Sequence, residues 1–341
     1  MSPATWPRDN PLGERLLRID PRAGAIADAH VGDLPTMFDA GDLLVLNDSA
    51  TLPASLQGAT ESGAPVEVRL LGEPSPGRFS ALLFGAGDWH ARTEDRPLPP
   101  CLAEGEAIHF GPDFSASIAS VSPASPRLVE LTFDADGARF WSALYRVGRP
   151  IQYAYLDAPL PLWHAQTVYG SRPWSAELPS AGRPLAWELL LDLRRRGVRI
   201  ASLTHAAGLS STGDPRLDAL LPLPERFDIP GATVTAVHEA HARGHRVIAV
   251  GTTVTRALEG AAAQHDGELV AGTGVTDLRL HGAFQLQIAD GILTGIHDPN
   301  ESHFDLLEAF APRALLHAAL AHAEETGYLC HEFGDSALIL S

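Results

Sequence analysis

Apolar residues cluster in residues 42–47, DLLVLN, a run short enough for a strand and continuous enough for a buried one. NDSATLPASLQG then reads as a turn entering a second strand. From Pro65 to about Val147 short alternating runs take over: PVEVRLLG, RFSALLFG, EAIHF, SASIASV and RLVELTF. Breaks rich in Pro and Gly, EPSPG and RPLPP, separate them. Strands at that spacing predict a small antiparallel barrel or sandwich. After Gly148 the period changes. AWELLLDLRRRG predicts a helix stopped by Gly197 and followed by the strand VRIASLTH. ATVTAVHEAHAR, residues 232–243, predicts a second helix, with Gly244 leading to RVIAV. RALEGAAAQ continues as helix, and APRALLHAALAHAEETG predicts an amphipathic helix ending at Gly327. Helix, glycine and strand in repetition predict an α/β/α layered sandwich. Both chain ends, residues 1–64 and 148–341, are expected to build it, with residues 65–147 inserted as a small antiparallel β-barrel.

Composition narrows the picture. The 341 residues are 45% hydrophobic and 20% charged, ordinary for a globular protein of about two domains. No apolar run is long enough for a membrane span. The opening MSPATWPRDNPLGERLL has neither the basic nor the apolar region of a signal peptide, and two cysteines make no disulfide framework, so a cytoplasmic location is expected. The formal net charge is −17, so any nucleic acid would need a local arginine patch. All 25 Lys and Arg residues are arginine. That excludes a Schiff-base lysine and a Walker lysine.

Four stretches carry candidate chemistry at predicted strand ends, where layered α/β sheets bind ligands. In VIAVGTTVTRALE, Gly251 lets a ligand approach the backbone, and the amides of the following helical turn attract anions. Thr252 and Thr253 either cap that helix or bind a ligand. Arg256 either pairs with Glu259 or meets a carboxylate or phosphate. In LTHAAGLSSTGD (203–214), His205 precedes small residues suited to a ligand loop. In DGILTGIHDPNESH (290–303), Thr294, His297 and Asp298 follow a short apolar run, Asn300 to His303 open the next helix, and His297 suits proton transfer. HEFGDSALIL (331–340) sets Glu332 and Asp335 beside a final strand. VHEAHARGH spaces His238, His241 and His245 along one helix but fixes no acidic third ligand, so no metal is expected. RRRGVR, the densest basic cluster, reads as a positive helix C-terminus or an RNA contact.

In order along the chain, GDLLVLND, QTVYG, PSAG, VIAVGTTVTRALE, Thr276–Asp277, ILTGIHDP and FGDSALIL resemble the S-adenosylmethionine:tRNA ribosyltransferase-isomerase family of queuosine biosynthesis. The resemblance covers most of the chain and is weakest in the β module. It implies a layered α/β/α domain with an inserted β-barrel. It also implies an enzyme that transfers the ribosyl part of S-adenosylmethionine to the aminomethyl group of a 7-deazaguanine base in tRNA. The ribose is rearranged to an epoxycyclopentanediol, while adenine and methionine leave. S-adenosylmethionine is then a co-substrate, and no metal is needed.

The chain departs from the family pattern at several positions. Family arginines are replaced at Ala50 and Ser55, a histidine at Pro184, a tryptophan at Val275 and a lysine at Asn300. A paired-histidine segment keeps only Glu225. On these residues, Gly251, Thr252, Thr253 and Arg256 are expected to hold the methionyl carboxylate. His205 and His297 are expected to transfer protons. Asp48, Asp277, Glu332 and Asp335 are expected to contact hydroxyls, the amino group or adenine, while Ser180 and Gly182 line the pocket. The acceptor is tRNA or a small molecule, and a monomer with no membrane partner is expected. A paralogue that cleaves S-adenosylmethionine and a non-catalytic binding relative are the rival readings.

Overall fold

Within Leu43–Asn47 successive side chains point to opposite faces of a sheet, and both faces are apolar. Leu43 and Val45 pack with Val237, Ala240, Val254, Ala257, Leu258 and Ala261. Leu44 and Leu46 pack instead with Leu34, Phe38, Leu189, Leu190 and Leu193. Helices therefore cover both faces. This computed structural model, which describes residues 1–299 and 302–340, is an α/β/α sandwich as expected.

The sheet has nine strands in the order Gly272–Thr276, Glu225–Ile229, Arg199–His205, Leu43–Asn47, Val247–Val250, Gly291–Gly295, Ser336–Ile339, Arg15–Asp20 and Ala25–His30. Arg199–His205, Leu43–Asn47, Val247–Val250 and Gly291–Gly295 are mutually parallel. Their C-terminal ends therefore open along one edge, the place where such sheets bind ligands. Glu225–Ile229 on one side and Ser336–Ile339 on the other run antiparallel to this centre, and Gly272–Thr276 pairs antiparallel with Glu225–Ile229 in turn.

Helices Trp187–Arg195, Gly231–Ala242, Thr252–Ala263 and Arg313–Glu325 stand where the 3.6-residue period places them. Gly197, Gly244 and Gly327 follow three of them with φ of 90°, 73° and 77°. A side chain is strained in that left-handed conformation, so the chain turns off the helix there.

Six strands close the barrel: Phe114–Val121, Leu128–Phe133, Arg78–Phe84, Pro65–Ser75, Ser55–Thr60 and Ala107–Gly111. Ser55–Thr60 precedes Pro65, where the alternating pattern begins. Two further elements were not expected. Helix Gly137–Val147 buries Phe140, Ala143 and Leu144 against the barrel core. The hairpin Arg15–Asp20/Ala25–His30 forms one end of the large sheet, and its outer strand has no buried position to betray it.

Glu259 resolves one open question of the sequence. It does not pair with Arg256. Its fully buried carboxylate accepts from the backbone N–H groups of Gln287, Ile288 and Ala289 at 2.9, 3.0 and 2.9 Å, fastening the approach to strand Gly291–Gly295. Burial pushes its carboxyl up, against those three bonds. Glu259→Gln puts an amide donor among three donors. It should cost about 2 kcal/mol, read as a lower urea midpoint at unchanged slope. An unchanged midpoint would show that the loop is held by other contacts.

Candidate active site

Strand Val247–Val250 ends at Gly251, whose φ of 91° and ψ of 161° lie in a region open essentially to glycine alone. A Cβ here would stand 3.2 Å from the Ala181 side chain. The Gly251 N–H donates to Leu293 O at 2.7 Å, and helix Thr252–Ala263 starts at once. Gly251 is itself the N-cap residue, so neither threonine caps the helix. Asn47 orders the junction. Its amide donates to Thr253 Oγ1 at 3.3 Å and to His205 O at 2.9 Å, while its Oδ1 accepts from His205 N at 2.9 Å.

The Gly-Thr-Thr junction borders a cavity of about 340 Å³. Gly251, Thr252, Thr253, Arg256, Ser180, His297 and Glu332 all line it, as do Thr294 and Asp298. Thr294 Oγ1 and His297 Nε2 are 2.8 Å apart, and the His297 ring lies against His303, centroids 5.0 Å apart. Burial first, then the charges of His297 and Arg256, hold the His303 imidazole well below its usual range.

Arg256 has a different partner from either one expected. Its Nη2 donates to Glu225 Oε2 at 2.5 Å, with both side chains buried. Glu225 Oε1 also accepts from Gly208 N at 2.8 Å. Burial raises the Glu225 carboxyl, and Arg256 opposes that rise. The guanidinium thus enters the cavity wall already paired, and its buried Nε makes no hydrogen bond among the described residues. His205 does not line the cavity. It is fully buried behind Glu225, with Nε2 3.4 Å from Glu225 Oε2. Burial, and then Arg256, hold its imidazole well below the usual range, so it stays neutral at pH 7.

Four other expected residues lie outside this cavity lining. Asp48 accepts from Thr204 Oγ1 at 2.6 Å. Gly182 packs under Tyr169, whose hydroxyl donates to Gly182 O at 3.2 Å. Asp277 is exposed after strand Gly272–Thr276. Asp335 is buried, accepting from Arg8, Arg15 N and Leu329 N at 2.5, 3.2 and 2.8 Å, so it fastens the N-terminal segment to the last strand. Conversely, Tyr153, Tyr155, Glu177 and His303 line the cavity without having been singled out. The only local cues to them are YAY in IQYAYLDAP and an acidic residue two positions before PSAG. No group of three or more His, Cys, Asp or Glu side chains among the described residues is placed to hold a metal ion. Of the helical histidines, His241 stands 3.3 Å from Asp290.

A profile of the family described as queuosine biosynthesis protein matches residues 2–339. The chain belongs to that family. Relatives named S-adenosylmethionine:tRNA ribosyltransferase-isomerase cover nearly all of it. That of Moorella thermoacetica is 32% identical over 340 residues, 98% of this chain and 94% of the relative. That of Thermus thermophilus is 35% identical over 323 residues, 92% and 89% of the two chains. That of Synechococcus elongatus is 35% identical over 347 residues, 99% and 91%. The fold is shared with the crystal structure of the S-adenosylmethionine tRNA ribosyltransferase of Thermotoga maritima. The TM-score is 0.54 at 23% identity, over 99% of this chain and 96% of that one.

Ser55, one of the departures from the family pattern, sits in a buried polar cluster of the barrel wall. Ser55 Oγ donates to Glu67 Oε1 at 2.8 Å, and Arg69 Nε donates to the same oxygen at 2.8 Å. Arg96 Nη1 reaches the other oxygen of Glu67 at 2.5 Å. Asn300 lies outside the described residues. No helix among the described residues is long and apolar enough to cross a membrane.

Proposed function

We propose that this chain is an S-adenosylmethionine-dependent tRNA ribosyltransferase-isomerase. It transfers and rearranges the ribosyl part of S-adenosylmethionine onto the aminomethyl group of a 7-deazaguanine base in tRNA, with adenine and methionine as leaving products. The observation that carries this reading is the convergence of Gly251, Thr252, Thr253, Arg256 and His297 on one cavity. A helix start with unpaired amides suits a carboxylate. The methionyl carboxylate sits there, against the amides and the two threonine hydroxyls. Arg256, neutralised by Glu225, backs the site through its remaining N–H groups rather than acting as an open clamp.

The sulfonium acidifies the adjacent C5′–H of the ribose. His297 lines the cavity and is the proton-transfer group, with Thr294 orienting its ring. His205 is no proton-transfer group in this reading: it is sealed behind Glu225, and neither ring nitrogen makes a hydrogen bond among the described residues. The protein works as a monomer, and tRNA is its acceptor.

Incubation with S-adenosylmethionine, with and without tRNA bearing the precursor base, tests this. Adenine release that requires the tRNA is expected. Release without RNA would point to a small-molecule acceptor or simple cleavage, and no release in either case to a non-catalytic relative.

Gly251→Ala probes the anion site directly. The side chain forces a glycine-only conformation and meets Ala181 at the helix start. Calorimetry should show affinity for S-adenosylmethionine falling by about 10-fold or more, equivalent to about 1.4 kcal/mol. Undiminished affinity would mean the cofactor does not approach this backbone.

A further inference from the structure

A second part of the cavity wall has a different character. Tyr153 and Tyr155 come from the segment after Gly148, Glu177 follows strand Arg172–Ser175, and His331 and Glu332 precede strand Ser336–Ile339. The Tyr155 ring stacks on His331, with centroids 4.8 Å apart and planes at 10°, and on Tyr153 at 6.0 Å and 13°. Glu177 accepts from the Tyr153 hydroxyl and from Ser210 N, the latter at 3.1 Å. Glu332 is different. Its Oε2 is buried at the cavity and has no hydrogen-bond partner among the described residues. A carboxylate oxygen shut away from water without a donor is costly unless something arrives to meet it.

We propose that this wall is a subsite for an alkylammonium group, held by Glu332 and Glu177 against the ring column of Tyr153, Tyr155 and His331. Two carboxylates supply the charge and hydrogen-bond acceptors, and stacked rings supply polarisable faces that favour a desolvated cation. The proposal rests on the reading of the cavity as the S-adenosylmethionine site. Two ammonium groups are then available: the α-amino group of S-adenosylmethionine and the aminomethyl group of the acceptor base.

The electrostatics of the ligand-free wall agree. Burial, and then the charge of Glu177, push the Glu332 carboxyl up to about 8. Arg183 and a bond from the Leu178 backbone oppose that rise, and Arg183 is itself shared with Glu14 at 3.9 Å. Tyr155, Cys330, His331 and the Met1 amino group also line this wall; burial holds the Tyr155 hydroxyl well above its usual range and raises the Glu177 carboxyl as well. At pH 7 Glu332 is therefore mostly protonated. A bound cation favours the carboxylate, lowers its proton affinity and expels the proton. Ligand affinity should consequently rise with pH towards about 8, and fall again once the ligand's own ammonium group loses its proton.

Calorimetry at pH 7 in two buffers of different ionisation enthalpy measures that proton directly. The ligands are S-adenosylmethionine, 5′-methylthioadenosine, which lacks the amino-acid part, and 7-aminomethyl-7-deazaguanine. Wild-type protein should release close to one proton on binding an ammonium-bearing ligand and none with 5′-methylthioadenosine. Glu332→Gln should abolish the release and weaken the ammonium ligand by about 10-fold or more, while leaving 5′-methylthioadenosine within about twofold. Release confined to S-adenosylmethionine places its α-amino group here, and release confined to the deazaguanine places the acceptor here. If wild-type protein binds S-adenosylmethionine but releases no proton with either ligand, the subsite is overturned while the cofactor reading stands. If it binds neither, both fall. Glu177→Gln, expected to weaken the same ligand, covers the case in which Glu332→Gln does not fold.

Discussion

His297→Ala should lower the rate of adenine release by about 10²- to 10⁴-fold, with affinity for S-adenosylmethionine changed only a few-fold. The size follows from the role. A positioned proton-transfer group acts in the transition state, so its removal appears in kcat rather than in binding. We assign the role to His297 among the imidazoles near the site; His331, which also lines the cavity, is stacked on the Tyr155 ring in the other part of the wall. His205 is sealed behind Glu225 and borders no open space. His303 lines the cavity, but burial and two neighbouring charges disfavour its protonated form. His297 lines the cavity with Nε2 within reach of the Thr294 hydroxyl, which orients the ring. Single-turnover measurements with saturating substrates separate the chemical step from binding. A loss below about fivefold in that step would remove His297 from proton transfer and leave another cavity group to do it.

The largest effect on stability is expected from Glu225→Ala, at about 3 kcal/mol. Glu225 is the only acidic group bonded to Arg256 among the described residues, and both are buried. Removing it leaves a guanidinium without its counter-charge, frees the Gly208 N–H and takes away the carboxylate beside His205. Replacing both partners, as Glu225→Leu with Arg256→Met, should recover most of the loss, because the cost lies in the orphaned charge rather than in the missing attraction. Urea unfolding of the two single variants and the double variant forms the cycle. Additive losses would show that the two residues do not work as a unit. The double variant is nonetheless expected to bind S-adenosylmethionine less well, since it lacks the guanidinium that borders the cavity.

Much of this molecule is legible in the chain because its signals are local. The run DLLVLN is apolar at every position from Leu43 to Leu46, which only a strand covered on both faces tolerates. The Gly-Thr-Thr junction after VIAV announces a strand end and a helix start together. Partner choice was less legible. Arg256 bonds to a residue 31 positions earlier, on an antiparallel strand whose place in the sheet no periodicity reveals. Glu259, one helical turn away, was the local alternative, and it turned instead to three backbone amides. Asp335 looked like a ligand group because it follows a glycine beside a strand, yet the N-terminal segment consumes its bonds. Helix Gly137–Val147 was hidden by its surroundings: its apolar residues Phe140, Ala143 and Leu144 have helical spacing but directly follow a series of alternating strands. Tyr153 and Tyr155 reach the cavity only because an irregular segment after Gly148 crosses it, and such a path leaves no periodic trace.

The place of strand Ser336–Ile339, between Gly291–Gly295 and Arg15–Asp20, has a consequence for how the molecule is made. Arg15 must wait for Asp335, 320 residues later, before its strand can dock. At ribosomal speeds that is an interval of roughly 15–65 s, during which the first hairpin has no sheet to join. The barrel, whose strands lie between Ser55 and Phe133, can assemble long before then. Nascent chains should therefore carry a finished barrel beside an open sheet edge, and that edge is the surface a chaperone would have to shield.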